Sequence, residues 1–166
     1  MNNKRWNRIL YSFEYFDFPR IVKVFELLNG AEKNVKEYID DKLIFEGEYK
    51  NGKRWNGKGQ EFNKGNQLIY DGEYLAGKRH GKGKEYYNNY KIFDGEYQNG
   101  QRKKGKEYYY NYYNDDQLKY EGEYSKGLKW NGKGYNIKGE LIFEIENDYG
   151  KGKYSNMIIY YLKVKF

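Results

Sequence analysis

Leu68-Ile69-Tyr70-Asp71-Gly72-Glu73-Tyr74, Leu75-Ala76-Gly77-Lys78-Arg79-His80 and Gly81-Lys82-Gly83-Lys84-Glu85-Tyr86-Tyr87 follow one another in the middle of the chain. The first stretch is short, contains β-preferring residues and alternates apolar with charged positions towards its end, so it reads as a strand. The second supplies a glycine-bearing loop. The third reads as the returning strand of a hairpin. Asn88-Asn89-Tyr90 then turns the chain again into Lys91-Ile92-Phe93. Hairpins joined by equally tight turns continue as an antiparallel meander.

The same unit recurs. Phe45-Glu46-Gly47-Glu48-Tyr49, Tyr70-Asp71-Gly72-Glu73-Tyr74, Phe93-Asp94-Gly95-Glu96-Tyr97 and Tyr120-Glu121-Gly122-Glu123-Tyr124 have central glycines 25, 23 and 27 residues apart. That period fits one supersecondary unit and is too short for a domain. From each central glycine to the return-strand glycine the steps are 12, 11, 10 and 12 residues, a slack that suits a surface loop at the hairpin tip. Ile142 to Lys153 and Val24 to Tyr38 read as worn copies. The expected organisation is therefore residues 1–42 as a degenerate repeat and cap, 43–135 as four repeats, and 136–166 as a degenerate repeat with capping strands. Over Arg20 to Leu28 a short helix competes, because Ile21, Val24, Phe25 and Leu28 share a helical face.

Composition supports an aromatic, thin fold. The 166 residues are 38% hydrophobic with a mean hydropathy of -1.20, too polar for a conventional two-layer core. Yet 20% are aromatic, including 22 tyrosines, whose rings cover a sheet face while their hydroxyls reach water. Disordered segments are poor in such residues. Cysteine is absent, which removes disulfides and cysteine-ligated metals. The opening Met1 to Arg8 leads into Ile9-Leu10-Tyr11-Ser12-Phe13 and is broken by Glu14, Asp17 and Arg20, unlike a secretory leader. The longest apolar run, Met157 to Leu162, is about a third of a bilayer helix.

Strand positions two apart share a face, so Tyr70, Gly72 and Tyr74 lie on one face and Asp71 and Glu73 on the other. A glycine between two rings leaves bare backbone for an aromatic from the neighbouring strand. This predicts a ladder through Tyr49, Tyr74, Tyr97 and Tyr124. Together with Tyr70 and Tyr120 these rings are the expected protein-binding face, since aromatic residues are favoured at interface centres. The carboxylate pairs beside each glycine lie about 7 Å apart, as in glycoside-cleaving acid pairs. They recur in every repeat opposite Lys82/Lys84 and Lys104/Lys106, which reads as a charge ladder.

Three other patterns imitate chemistry. Gly52 to Lys58 and Gly127 to Lys133 satisfy seven positions of a nucleotide-binding loop, but Gly59 and Gly134 stand where a hydroxyl holds magnesium. His80 is the only histidine and has no second ligand or nucleophile to work with. It reads as an exposed loop residue. The basic hairpin tips carry more weight: Lys53, Arg54, Lys78, Arg79, Arg102 and Lys103 would line one edge of a regular meander. With a formal charge of +7, such an edge can attract an anionic membrane. Acidic residues in every strand, and the lack of a nucleic-acid motif, argue against DNA or RNA.

The repeated Tyr/Phe-Glu/Asp-Gly-Glu-Tyr with its Gly-Lys-Gly-x-Glu-Tyr return resembles the membrane occupation and recognition nexus (MORN) repeat. The resemblance covers residues 43 to 135 well and the flanks weakly. The chain uses Tyr49, Tyr74, Tyr97 and Tyr124 where many members have tryptophan. Copy three has Lys103 in place of the first glycine of the final pair, which implies a less regular hairpin. The resemblance implies an all-β, elongated, single-layer antiparallel sheet with one hairpin per repeat. It also implies a non-catalytic scaffold, with no cofactor or small-molecule substrate, that binds a protein partner or itself; phospholipid binding is the alternative. The location expected on that basis is intracellular, in the cytoplasm or against membrane or cytoskeleton, or the virion of a large DNA virus.

Overall fold

The structure, a computed structural model, describes residues 9–14, 21–28, 31–110, 117–146, 149–154 and 157–161, with side chains described at 23–24, 34–110 and 117–146. These residues form fourteen strands: β1 (Ile9–Glu14), β2 (Ile21–Leu28), β3 (Ala31–Ile39), β4 (Lys42–Lys50), β5 (Lys53–Phe62), β6 (Leu68–Leu75) and β7 (Lys78–Tyr87), then β8 (Tyr90–Gln98), β9 (Gln101–Tyr108), β10 (Leu118–Ser125), β11 (Leu128–Tyr135), β12 (Leu141–Glu146), β13 (Tyr149–Tyr154) and β14 (Met157–Tyr161). They pair in chain order into one sheet, and every neighbouring pair is antiparallel. The fold is an all-β single-layer meander, as the hairpin pattern predicts. The helical reading of Arg20 to Leu28 gives way to β2, whose backbone is laddered to β1 on one side and β3 on the other. Two flanking ladders outweigh a weak local periodicity. Residues 1–8 and 15–20 lie outside the described residues.

The hairpin tips are tighter than the sequence suggests. Each is a two-residue turn, Asn51-Gly52, Ala76-Gly77, Asn99-Gly100 and Lys126-Gly127, with φ positive at both positions, for example 54° and 71° in the first. That is the primed turn whose twist matches the flanking strands. The loop expected over Leu75 to His80 is therefore a turn, and the returning strand starts at Lys78. Slack appears instead as bulges one residue further on. Trp55, Lys103 and Trp130 are the extra residues of copies one, three and four, and Gly81-Lys82 are those of copy two. Lys103 thus occupies a bulge position like the tryptophans. Gly95 still faces Gly105 in copy three, so that hairpin has the same bulged pairing as copies one and four.

Register places glycine against glycine. Gly59, Gly72, Gly83, Gly95, Gly105, Gly122 and Gly132 follow one another directly across β5 to β11. Rings fill the space on one face of this row. The Tyr70 ring lies across both Gly72 and Gly83, and Phe93 and Tyr120 lie likewise across Gly95/Gly105 and Gly122/Gly132. The covering ring therefore comes from the glycine's own strand and reaches over the next one, which corrects the expectation of a ring from the neighbouring strand.

The aromatic ladder also takes a different path. It zigzags Tyr49–Phe45–Tyr74–Tyr70–Tyr97–Phe93–Tyr124–Tyr120–Phe143 with ring centroids 5.3 to 6.2 Å apart. Most contacts are edge-to-face, each worth about 0.5–1.5 kcal/mol beyond its area. Phe143, from the worn C-terminal copy, ends the described series by stacking on Tyr120. Val35 packs against Phe45 at the other end.

The ring-on-glycine contact has a direct test. A Cβ at Gly83 would meet Tyr70 Oη at 2.5 Å and Cε2 at 2.7 Å, and Tyr70 is fully buried. Gly83→Ala should lower stability by about 1–3 kcal/mol through overpacking. Tyr70→Ala alone should cost more, about 3–5 kcal/mol, and the double variant should lose less than the sum of the two single losses. Additive losses in urea melts would remove the contact as its cause.

Candidate functional site

Two faces carry the candidate residues, and the sheet treats them differently. On the ring face, Tyr70 and Tyr120 are 0% exposed, Tyr49 and Tyr97 are buried, and Tyr74 and Tyr124 are half-buried. The six rings expected to receive a partner are thus the protein's own core. What covers them is a layer of cations. Arg54 lies over the Phe45 ring at 4.8 Å, Arg79 over Tyr70 at 4.1 Å, Arg102 over Phe93 at 4.3 Å and Lys129 over Tyr120 at 4.3 Å.

These positions coincide because Tyr49↔Arg54, Tyr74↔Arg79, Tyr97↔Arg102 and Tyr124↔Lys129 are cross-strand partners one step from each turn. Arg54, Arg79 and Arg102 therefore turn inward and do not join a basic tip. Lys53, Lys78 and Lys103 remain exposed.

Each inward cation meets a carboxylate that sequence reasoning did not single out. Arg54 donates Nε and Nη2 to Glu37 at 3.0 and 2.9 Å. Arg79 donates the same pair to Glu61 at 3.0 and 2.6 Å, and the Tyr74 hydroxyl donates to Glu61 at 2.7 Å. Arg102 grips Glu85 in the same way, with Tyr97 donating to Glu85 at 2.6 Å. Lys129 and Tyr124 both bind Glu107 at 2.9 Å. Every cluster joins the return strand of one repeat to the hairpin of the next. The available signal was Glu two residues after the facing glycine in Gly83-Lys84-Glu85 and Gly105-Lys106-Glu107, which puts it on the ring face.

Burial alone pushes the carboxyls of Glu61, Glu85 and Glu107 up. The guanidinium or ammonium and tyrosine hydroxyl hydrogen bonds outweigh it and hold all three below their usual 4.5. Desolvation and the carboxylate acceptor push the Tyr74 and Tyr97 hydroxyls well above the ordinary range.

The opposite face is an open groove of about 830 Å³, floored by the glycine row and running from β5 to β10. From β6 to β10 each strand sets two side chains of one sign beside its glycine, while β5 contributes Lys58 with Gln60 on the other side of Gly59. Asp71 and Glu73 flank Gly72, Lys82 and Lys84 flank Gly83, and Asp94 and Glu96 flank Gly95. Lys104 and Lys106 then flank Gly105, and Glu121 and Glu123 flank Gly122. Outgoing strands are acidic and returning strands basic, so the charge ladder expected from the sequence is present. Its ion pairs are loose and exposed: Lys58–Glu73 at 3.8 Å, Lys104–Glu96 at 3.3 Å and Lys106–Glu121 at 3.9 Å. Lys82 and Lys84 make no ion pair among the described residues.

The remaining imitations resolve as structure. Gly52 to Lys58 is a turn running into β5, with no helix to face a phosphate. His80 is half-buried on β7 opposite Glu73, not in a loop, and its Nδ1 has no hydrogen-bond partner among the described residues. Among the described residues no three metal-binding side chains converge. In comparison with known proteins, the chain matches no family model and no curated protein.

The carboxylate clusters set an acid limit. With folded pKa values below the unfolded 4.5, Glu61, Glu85 and Glu107 stabilise the fold fully above that pH, and the contribution is lost as pH falls through the folded values. The melting temperature should fall as pH drops below about 4.5. Glu85→Gln should cost about 1–3 kcal/mol at neutral pH and flatten that acid limb. A variant that melts with the wild-type pH profile would show the cluster is inert.

Proposed function

We propose that the chain is a non-catalytic scaffold of the MORN-repeat kind that offers its sheet surface to a protein partner. The observation that carries this reading is the repetition itself. One set of side chains is presented again on each hairpin, about 9.6 Å apart, over an unbroken sheet. Such arrays recognise extended surfaces through many equivalent contacts. Because the rings are taken up by the core, the glycine-floored groove with its loosely paired charges is the surface left for recognition. An intracellular setting against membrane or cytoskeleton belongs to the same proposal.

Amine-reactive crosslinking of the purified chain in extract of its own cells, read by mass spectrometry, tests this. Partner crosslinks should concentrate on Lys84, Lys104 and Lys106 in the groove. Crosslinks confined to Lys53 and Lys78 at the turns, or none to another molecule, a second copy of this chain included, would overturn it.

One observation favours a membrane as second reading. The turn segments 50–53, 75–78, 98–101 and 125–128 contain no carboxylate, and Leu75 and Leu128 stand 49% and 55% exposed among their lysines. A cationic edge with apolar points suits an anionic headgroup layer. Flotation with phosphatidylserine vesicles should then be lost in Lys53→Glu/Lys78→Glu/Lys103→Glu. Reversing Arg54, Arg79 or Arg102 would instead strike the core, so those changes do not report on lipid. Unchanged flotation removes the membrane reading.

A further inference from the structure

We propose that the groove is complementary to itself and that two copies pair groove to groove about a two-fold axis running along the strands between β7 and β8. This deepens the scaffold reading by naming a partner for the groove, and it rests on that reading.

The sign pattern selects the arrangement. Adjacent strands carry opposite charge pairs, about 4.8 Å apart. A two-fold axis lying across the strands would set each strand on its own copy, like charge on like. An axis along the strands reverses their order and keeps their direction. Centred between β7 and β8, it sets β7 on β8, β6 on β9 and β5 on β10, and each of these pairings is of opposite sign. Lys82 then faces Glu96 of the second copy and Lys84 faces Asp94 of the second copy. These six strands are the ones that line the groove, so its whole length is used.

Three further observations fit the same partner. Among the described residues Lys82 and Lys84, at the centre, have no ion pair to give up. The groove holds five lysines against six carboxylates, although the chain carries +7, so the excess positive charge lies outside the contact. An α-helix laid along the groove repeats every 5.4 Å and falls out of step with the stripes, whereas another sheet of this kind keeps their interval. Between the two walls the floor is backbone alone, because the intervening positions turn to the ring face, and this leaves the facing long side chains room.

The contact is small. Six strands span about 29 Å, and the two walls with their side chains about 14 Å, which is below a standard interface. Pairing should therefore be weak, reversible and strongly salt-dependent.

Sedimentation velocity on the full chain decides it. Dimer should form at about 10 mM ionic strength and disappear near 1 M, as the screening length falls from about 30 to about 3 Å. Lys82→Glu/Lys84→Glu and Asp94→Lys/Glu96→Lys should each be monomeric at low salt, because each sets like charge on like across the axis. An equimolar mixture of the two should recover a dimer, with association at least about tenfold stronger than either alone. Circular dichroism checks that both variants fold; where one does not, the salt titration of the wild type decides. A monomer at low salt, a salt-independent dimer, variants that pair like wild type, or a mixture without recovery would each overturn the proposal. A monomeric chain that still crosslinks an unlike protein through Lys84 and Lys104 removes self-pairing and leaves the scaffold reading standing.

Discussion

A flat ring lying across two facing glycines is the contact on which the rest of this sheet depends. Tyr70 over Gly72 and Gly83 leaves no space for even a methyl group, and the same holds at Phe93 and Tyr120. Glycine weakens a strand, because it brings no side chain and loses the most backbone entropy on folding. Here the ring supplies the missing contact, and a thin polar chain obtains a buried layer without a second sheet. On the other face the alternation leaves bare backbone between charged neighbours, because the position between them is turned towards the rings. Core and groove are two results of one period of two.

The layer above the rings answers a second difficulty. A tyrosine-rich core must place hydroxyls somewhere, and an unpaired buried hydroxyl is costly. Tyr74, Tyr97 and Tyr124 each give theirs to a glutamate of the preceding return strand. An arginine or lysine closes the other side of that carboxylate and lies on a ring. The carboxylate loses hydration, but it gains a charged and a neutral donor at once, which is why its affinity for protons falls. Because each cluster spans two repeats, cohesion passes from hairpin to hairpin, as expected for a quasi-one-dimensional array.

Strand and face were legible in the pentads, because the alternation of rings with carboxylates has a period of two and the spacing of the glycines repeats. The ladder of lysines and carboxylates was legible for the same reason. What the residues did not disclose was register. Counting from Gly47 to Gly59 gives the next glycine along the return strand, while Gly57 is the one that faces Gly47. Without that pairing, Arg54 and Arg79 read as tip residues, although a two-residue turn puts them opposite Tyr49 and Tyr74 and so on the ring face. Glu61 and Glu85 were missed with them, since their role exists only once the next repeat's arginine has been placed. The ring path failed for a related reason: which ring covers a glycine is set by rotamer and twist, not by spacing.

The stripes themselves follow from how a hairpin array avoids slipping. Moving one strand by one residue would turn its rings to the charged face, and burial of the rings forbids it. Pairing two outgoing strands, or two returning ones, is a different error and needs a separate penalty. Making outgoing strands acidic and returning strands basic provides one, because two strands attract only when one is outgoing and the other returning. Inside the chain that rule favours each strand beside its true neighbour. The rule does not depend on the two strands belonging to one chain. A surface that enforces its own strand order by parity therefore also carries the means to match a reversed copy of itself, and the looseness of its exposed ion pairs leaves those charges available to do so.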